Sequence, residues 1–134
     1  MKNYLLPILI FFALFISCST EDDANEEEIT SIDIFLEDMN GDPVSDIVVY
    51  AYNESTWEVI GDETNFANYQ AASDENGKAT FKDISGATEF TSINNYQNTF
   101  RFSVNYNING MEKNKVKPIT FSLGDNKSET IILN

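Results

Sequence analysis

Any chemistry in this chain has to be built from oxygen ligands and carboxylates, because its 134 residues include no histidine and only one cysteine, Cys18. The commonest general base, the Ser-His and Cys-His pairs and most zinc sites are thereby removed. Paired Asp and Glu can hydrolyse glycosides when set about 5 to 10 Å apart. With 22 acids in the chain, however, chance proximity is expected and carries little information. The residues therefore predict a protein that is not an enzyme, with a carboxylate-based hydrolase as the last alternative.

Metal and ligand binding are weighed separately. Asp38, Asn40 and Asp42 alternate around Gly41, and Asp74 and Asn76 precede Gly77, which is the oxygen spacing with which a calcium loop begins. Neither run has the distal bidentate Glu, and Asp and Asn favour tight turns for backbone reasons alone. No cofactor is expected; Asp38, Asn40 and Asp42 are the candidates should a metal bind. Aromatic residues are plentiful, and the segment Asn53 to Gln70 is polar, irregular and too long for a simple turn. Flat rings beside Asn and Gln suit sugars, so Trp57, Tyr69 and Tyr96 are the candidate ligand-binding residues for a glycan or peptide. The competing reading places these rings in the core.

The elements that would carry such residues are strands. Ile32, Ile34 and Leu36 alternate with Asp33, Phe35 and Glu37, and Ile47, Val49 and Ala51 with Val48, Tyr50 and Tyr52. From Phe100 to Ile108 one face is apolar and the other polar, so this strand must lie on a core. Further strands are expected at Ala79 to Asp83, Ile119 to Leu123 and Thr130 to Leu133, with weaker signals at Thr56 to Ile60, Phe66 to Ala72 and Glu89 to Ile93. No long stretch has helical period. Asn40-Gly41, Asn76-Gly77 and Asn109-Gly110 tolerate positive φ between these runs, and Gly124-Asp125-Asn126 precedes the last strand. About a hundred residues in seven or eight short strands predict an all-β, antiparallel, immunoglobulin-like sandwich.

Ahead of that domain the chain carries an address. Met1-Lys2-Asn3, an apolar run from Leu5 to Ile16 and Ser17-Cys18 have the charged start, short apolar middle and small-residue exit of a secretory signal. Twelve residues that include Pro7 are too few to span a bilayer, which takes about 20. In detail Phe15-Ile16-Ser17-Cys18 resembles the lipobox of bacterial lipoproteins, with Phe15 where Leu is more usual. That resemblance implies cleavage before Cys18 and a diacylglyceryl group on its thiol. The expected division is 1–17 signal peptide, 18–28 lipidated Cys and disordered acidic tether, and 29–134 sandwich. With no second cysteine, the fold must rest on packing without an internal disulfide.

Two further stretches carry a family likeness. Leu36 to Val49, with Asp38-Met39-Asn40-Gly41-Asp42-Pro43-Val44 at its centre, resembles the opening of carboxypeptidase regulatory-like and related transthyretin-like sandwiches. Ser73 to Phe81, with Asp74-Glu75-Asn76-Gly77, resembles the same family's second turn and strand. Ser85-Gly86-Ala87-Thr88 has the glycine of the family's P-G-x-Y step but neither its Pro nor its Tyr. The likeness implies an accessory, binding or spacing module and supplies no catalytic residues. An isopeptide staple, found in related surface sandwiches, lacks its Lys on the strand Ser31 to Glu37.

Charge excludes one class of partner. Eight Lys and Arg face 22 Asp and Glu, a net charge of −14 that opposes phosphate-rich ligands, so nucleic acid is not a partner. Six of the eight residues from Glu21 to Glu28 are acidic. Just after the cysteine, Ser19-Thr20-Glu21-Asp22-Asp23 resembles the acidic export signal of lipoproteins displayed on the outer leaflet of an outer membrane. The expected protein is thus a lipid-anchored, surface-facing, non-catalytic module. Its partners would be the membrane through its anchor, other envelope proteins, or, in the alternative reading, a glycan.

Overall fold

The computed structural model describes residues 28–86 and 89–134, so the expected signal segment, Cys18 and most of the acidic stretch lie outside the described residues. Seven strands form two facing sheets: β1 (Ser31–Glu37), β2 (Val48–Asn53), β3 (Tyr69–Ala72), β4 (Lys78–Phe81), β5 (Gln97–Ile108), β6 (Met111–Ser122) and β7 (Asn126–Ile132). One sheet has the order β4-β1-β7 and the other β3-β2-β5-β6. The protein is an all-β sandwich. Every neighbouring pair is antiparallel except β1 with β7, which run parallel. The parallel pair arises because the chain changes sheets at Gly124-Asp125 instead of continuing the hairpin, which sets β7 alongside β1.

Alternation places the core where the sequence puts it. Ile32, Ile34, Leu36, Val49 and Ala51 are buried, and along β5 so are Phe100, Phe102, Val104 and Tyr106. Phe100 is the hub, with ring centroids 5.9 Å from Phe121 and 6.1 Å from both Tyr69 and Phe90. Phe102 meets Phe81 edge-on at 5.3 Å across the sheets.

The connections gather at two poles. The β1–β2, β3–β4 and β5–β6 turns lie at one, which carries all three Asn-Gly pairs; the β4–β5 and β6–β7 connections lie at the other. At Asn109-Gly110 both residues have positive φ, 54° and 78°, as a two-residue hairpin of the primed type requires. Gly77 joins two turns, since its carbonyl accepts from Leu36 N at 2.8 Å while Leu36 O accepts from Val44 N at 2.9 Å. Its φ is +73° and an added Cβ would stand 2.5 Å from Leu36 O, whereas Gly41 has open space around it. Gly77→Ala is therefore expected to cost well over the roughly 1–2 kcal/mol of left-handed strain alone. Gly41→Ala should cost no more than that, and paired thermal melts check the difference.

Three of the weaker sequence signals resolve differently. Thr56 to Ile60 is not a strand: α1 (Glu54–Ile60) is a helix whose first turn is capped by Asn53 Oδ1 accepting from Thr56 N at 2.8 Å, and Gly61 N–H closes it on Trp57 O. Capping outweighs the strand preference of Thr, Trp, Val and Ile. Glu89 to Ile93 is likewise not a strand but a bend leading into a 3-10 turn at Ser92–Asn94, and of Phe66 to Ala72 only β3 is extended. Conversely β6 begins at Met111, eight residues before Ile119, because its lysines extend across the open side of the sandwich, where no second apolar face is needed.

That open side is closed by charge. Lys115 Nζ donates to Ile132 O at 2.5 Å and to Asn134 Oδ1, and Lys117 Nζ to Glu129 Oε2 at 2.7 Å and Thr130 O at 3.0 Å. Lys127 reaches back to Thr120 O at 2.7 Å and lies 5.2 Å from the Phe121 ring. The alkyl stems cover the core edge and the ammonium groups occupy backbone acceptors that an edge strand otherwise leaves open.

Candidate functional site

The segment from Asn53 to Gln70 forms a cap over the outer face of the four-stranded sheet. Tyr52 points outward from β2, and α1 covers it completely: the Trp57 ring meets it edge-on at 5.4 Å, 68° between planes. Arg101, outward on β5, places its guanidinium 5.4 Å from the Trp57 ring centroid and Nη1 2.9 Å from Glu54 Oε2, close but out of hydrogen-bond alignment. The far end of the cap is pinned by Asp62, whose Oδ2 accepts from Ser103 Oγ at 2.5 Å and Asn114 Nδ2 at 2.7 Å. The Tyr52 hydroxyl is buried and makes no hydrogen bond among the described residues. Burial first, and the Asp62 carboxylate second, push its pKa upward, so the phenol stays protonated.

Beneath the other end of the cap lies Glu89, a buried carboxylate. Its Oε1 accepts from Tyr69 OH at 3.3 Å and Asn53 Nδ2 at 3.4 Å, and its carbonyl from Asn94 Nδ2 at 2.9 Å and Asn98 Nδ2 at 2.6 Å. Burial and the nearby Glu89 charge raise the Tyr69 pKa. Glu89 therefore organises the β4–β5 connection around the base of the cap.

The three candidate ligand aromatics fall on separate elements. Trp57 is half-buried in α1 against Tyr52; Tyr69 is half-buried in β3 with its ring on Phe100 and its hydroxyl on Glu89; Tyr96, 51% exposed, follows the 3-10 turn at φ 56°. Among the described residues no ring pair joins any two of them. A groove of about 510 Å³ runs between α1 and the start of β5, lined by Glu54, Glu58, Asn94, Gln97, Thr99 and Thr120. A second, of about 560 Å³, lies toward the opposite pole among Ile47, Asn105, Tyr106, Glu112 and Lys113. The cap also exposes Val59 (84%), Ile60 and Phe66.

The candidate metal residues build backbone turns. Asp38 Oδ1 accepts from Asn40 N at 2.8 Å and Asp42 N at 3.0 Å; Asp74 Oδ1 accepts from Asn76 N at 2.9 Å and Lys78 N at 3.0 Å. The two turns are the same device, an Asp side chain holding the second and fourth following amides. Among the described residues no group of three or more His, Cys, Asp or Glu is placed to hold a metal ion. In each turn the amide donors favour the ionised carboxylate, Asp42 and Lys78 N–H foremost, and lower its pKa below the ordinary 3.8. A depressed native pKa gives stability that is complete above that ordinary value and drains as pH falls through the native one. Removing both carboxylates with Asp38→Asn and Asp74→Asn should therefore flatten the acid limb of a stability-versus-pH curve below about pH 4, which chemical denaturation at stepped pH checks.

Sequence reasoning missed Asp62, Glu89, Arg101 and Asn114, the groups that hold the cap. Only Asn53, followed by Glu54 and closed by Gly61, carries a readable signal, that of a capped helix. No protein-family model matches the chain, and no curated protein matches it.

Proposed function

We propose that this chain is a lipid-anchored module of a bacterial cell envelope, displayed at the cell surface, that binds a partner and performs no catalysis. The leader and Cys18, outside the described residues, support the anchor through their likeness to a lipobox. The observation that carries the reading is where the N-terminal segment meets the sandwich. Ser31 N donates to Asp125 O at 2.9 Å and Gly124 N to Thr30 Oγ1 at 2.9 Å, which fixes that segment to the β6–β7 turn at one pole. A domain held through Cys18 hangs from this pole. Its opposite pole, with exposed Met39 and Met111, and the cap with Val59, Ile60 and Phe66 are left clear for another envelope protein.

A glycan ligand is the second reading, favoured by the amides, hydroxyls and carboxylates that line the groove beside α1. Protease treatment of intact cells tests display: the domain should be degraded while a periplasmic marker survives. Protection until the outer membrane is broken would place the domain on the inner side.

A further inference from the structure

We infer that Asn109 is a site of spontaneous deamidation, set apart by its turn from the other two Asn-Gly pairs of the same pole. The inference goes beyond the binding role and does not depend on lipidation of Cys18. An Asn followed by Gly can lose its side-chain amide, because a residue without Cβ leaves its backbone nitrogen open and free to rotate. Gly110 N bonds to Asn109 Cγ, the Cγ–Nδ2 bond breaks, and ammonia leaves with the proton that Gly110 N gives up. Water then opens the succinimide ring. Cleaving the bond from Gly110 N to Cγ gives aspartate; cleaving the bond from Gly110 N to the backbone carbonyl carbon gives isoaspartate, with the main chain rerouted through Cβ and Cγ.

Asn40, Asn76 and Asn109 are all exposed, so access to water does not choose among them; hydrogen bonds do. At Asn40 the attacking nitrogen is engaged, since Gly41 N donates to Asp38 O at 3.1 Å, and the leaving amide donates to Asp38 Oδ2 at 3.4 Å. At Asn76 the following glycine is buried: Gly77 N donates to Asp74 O at 2.9 Å and its carbonyl holds Leu36 N. The backbone amides of Asn40 and Asn76 are themselves pinned by Asp38 and Asp74 Oδ1, at 2.8 and 2.9 Å. Among the described residues no hydrogen bond holds Gly110 N or the Asn109 side chain, and the space around Gly110 is open. Asn109 and Gly110 stand beyond the last pair of the β5–β6 ladder, Ile108 with Met111, so bringing Gly110 N onto Cγ disturbs only the tip of one hairpin. Either product adds a negative charge to the pole that carries exposed Met39 and Met111. Aspartate keeps the turn, because it tolerates the φ of 54° found there. Isoaspartate lengthens the backbone of a two-residue turn, which breaks the Ile108–Met111 register and reshapes a surface left clear for a partner.

Timed incubation of the native full-length protein at mildly alkaline pH, followed by peptide mapping with mass spectrometry and enzymatic methyl-labelling of isoaspartate, tests this. Asn109 should deamidate at least about tenfold faster than Asn40 or Asn76, because the end of a ladder opens at little cost while turns tied into the sheet do not. The same chain unfolded in urea is the control. There the three Asn-Gly pairs should react at similar rates, since only the fold distinguishes them. Similar rates in the folded protein, or Asn40 or Asn76 reacting first, would overturn the inference. So would the folded ranking persisting in urea, or an Asn109 that stays intact in the folded protein while the unfolded chain reacts to completion.

Discussion

Phe100→Ala lowers the stability of the sandwich by about 3–5 kcal/mol, the usual cost of emptying a fully buried Phe site. Phe100 is fully buried and touches rings from three different parts of the chain, Tyr69 on β3, Phe90 in the β4–β5 connection and Phe121 on β6. Backbone hydrogen bonds of the surrounding sheet limit how far those neighbours can collapse into the space. A small domain has about 5–15 kcal/mol to lose, so this variant stands near unfolding at growth temperature. Equilibrium urea denaturation measures the loss. A change under about 1 kcal/mol would contradict Phe100's place as the hub. Val59→Ala, at a site 84% exposed on α1, is the comparison and should cost only a few tenths of a kcal/mol.

On the proposed lipid anchor, Cys18→Ser is the second large expected effect, and it acts on location. Each buried methylene contributes about 0.8 kcal/mol to membrane binding; one acyl chain holds only marginally, and two or more hold stably. Without the thiol there is no acceptor for a diacylglyceryl group, so the variant should move from the membrane pellet to the soluble fraction or accumulate as uncleaved precursor. Its core is untouched, because every buried residue among those described lies between Thr30 and Leu133. Fractionation and a thermal melt together separate loss of anchor from loss of fold, and full retention in the membrane would count against the anchor.

How far the sequence could be read depended on which force shaped each element. β1, β2 and β5 are legible because one face is apolar and the other polar, and a slip of one residue would expose the whole buried set. The Asn-Gly and Asp-x-x-Gly turns are legible because their residue types answer a backbone demand, positive φ at Gly41, Gly77 and Gly110. α1 was missed because Thr56, Trp57, Val59 and Ile60 have strand preferences, and the deciding terms are two caps at its ends. The first half of β6 was missed for a different reason: Met111-Glu112-Lys113-Asn114-Lys115 has no apolar alternation, since its core-side residues are lysines that cross to β7. The parallel β1–β7 pair depends on where the chain changes sheets, which local pattern does not encode.

The site was less legible than the fold. Trp57, Tyr69 and Tyr96 stand out in the sequence as aromatic, but their surroundings come from distant partners. Arg101 covers the Trp57 ring and Glu89 holds the Tyr69 hydroxyl, pairs 44 and 20 residues apart in sequence. Asp62 gathers Ser103 and Asn114 from 41 and 52 residues away. Arg101 and Ser103 read only as the polar face of an alternating strand, and Asp62, Glu89 and Asn114 as ordinary polar residues, so nothing in their own neighbourhoods marks their partners.

The central proposal is that this sandwich is delivered to a membrane on a modified cysteine, and intact-mass analysis of the native protein's N-terminus tests it most directly. A chain beginning at Cys18 and heavier by a diacylglyceryl group, with or without a further acyl chain, is the predicted result. A chain that retains Met1 to Ser17, or begins at an unmodified Cys18, would contradict it.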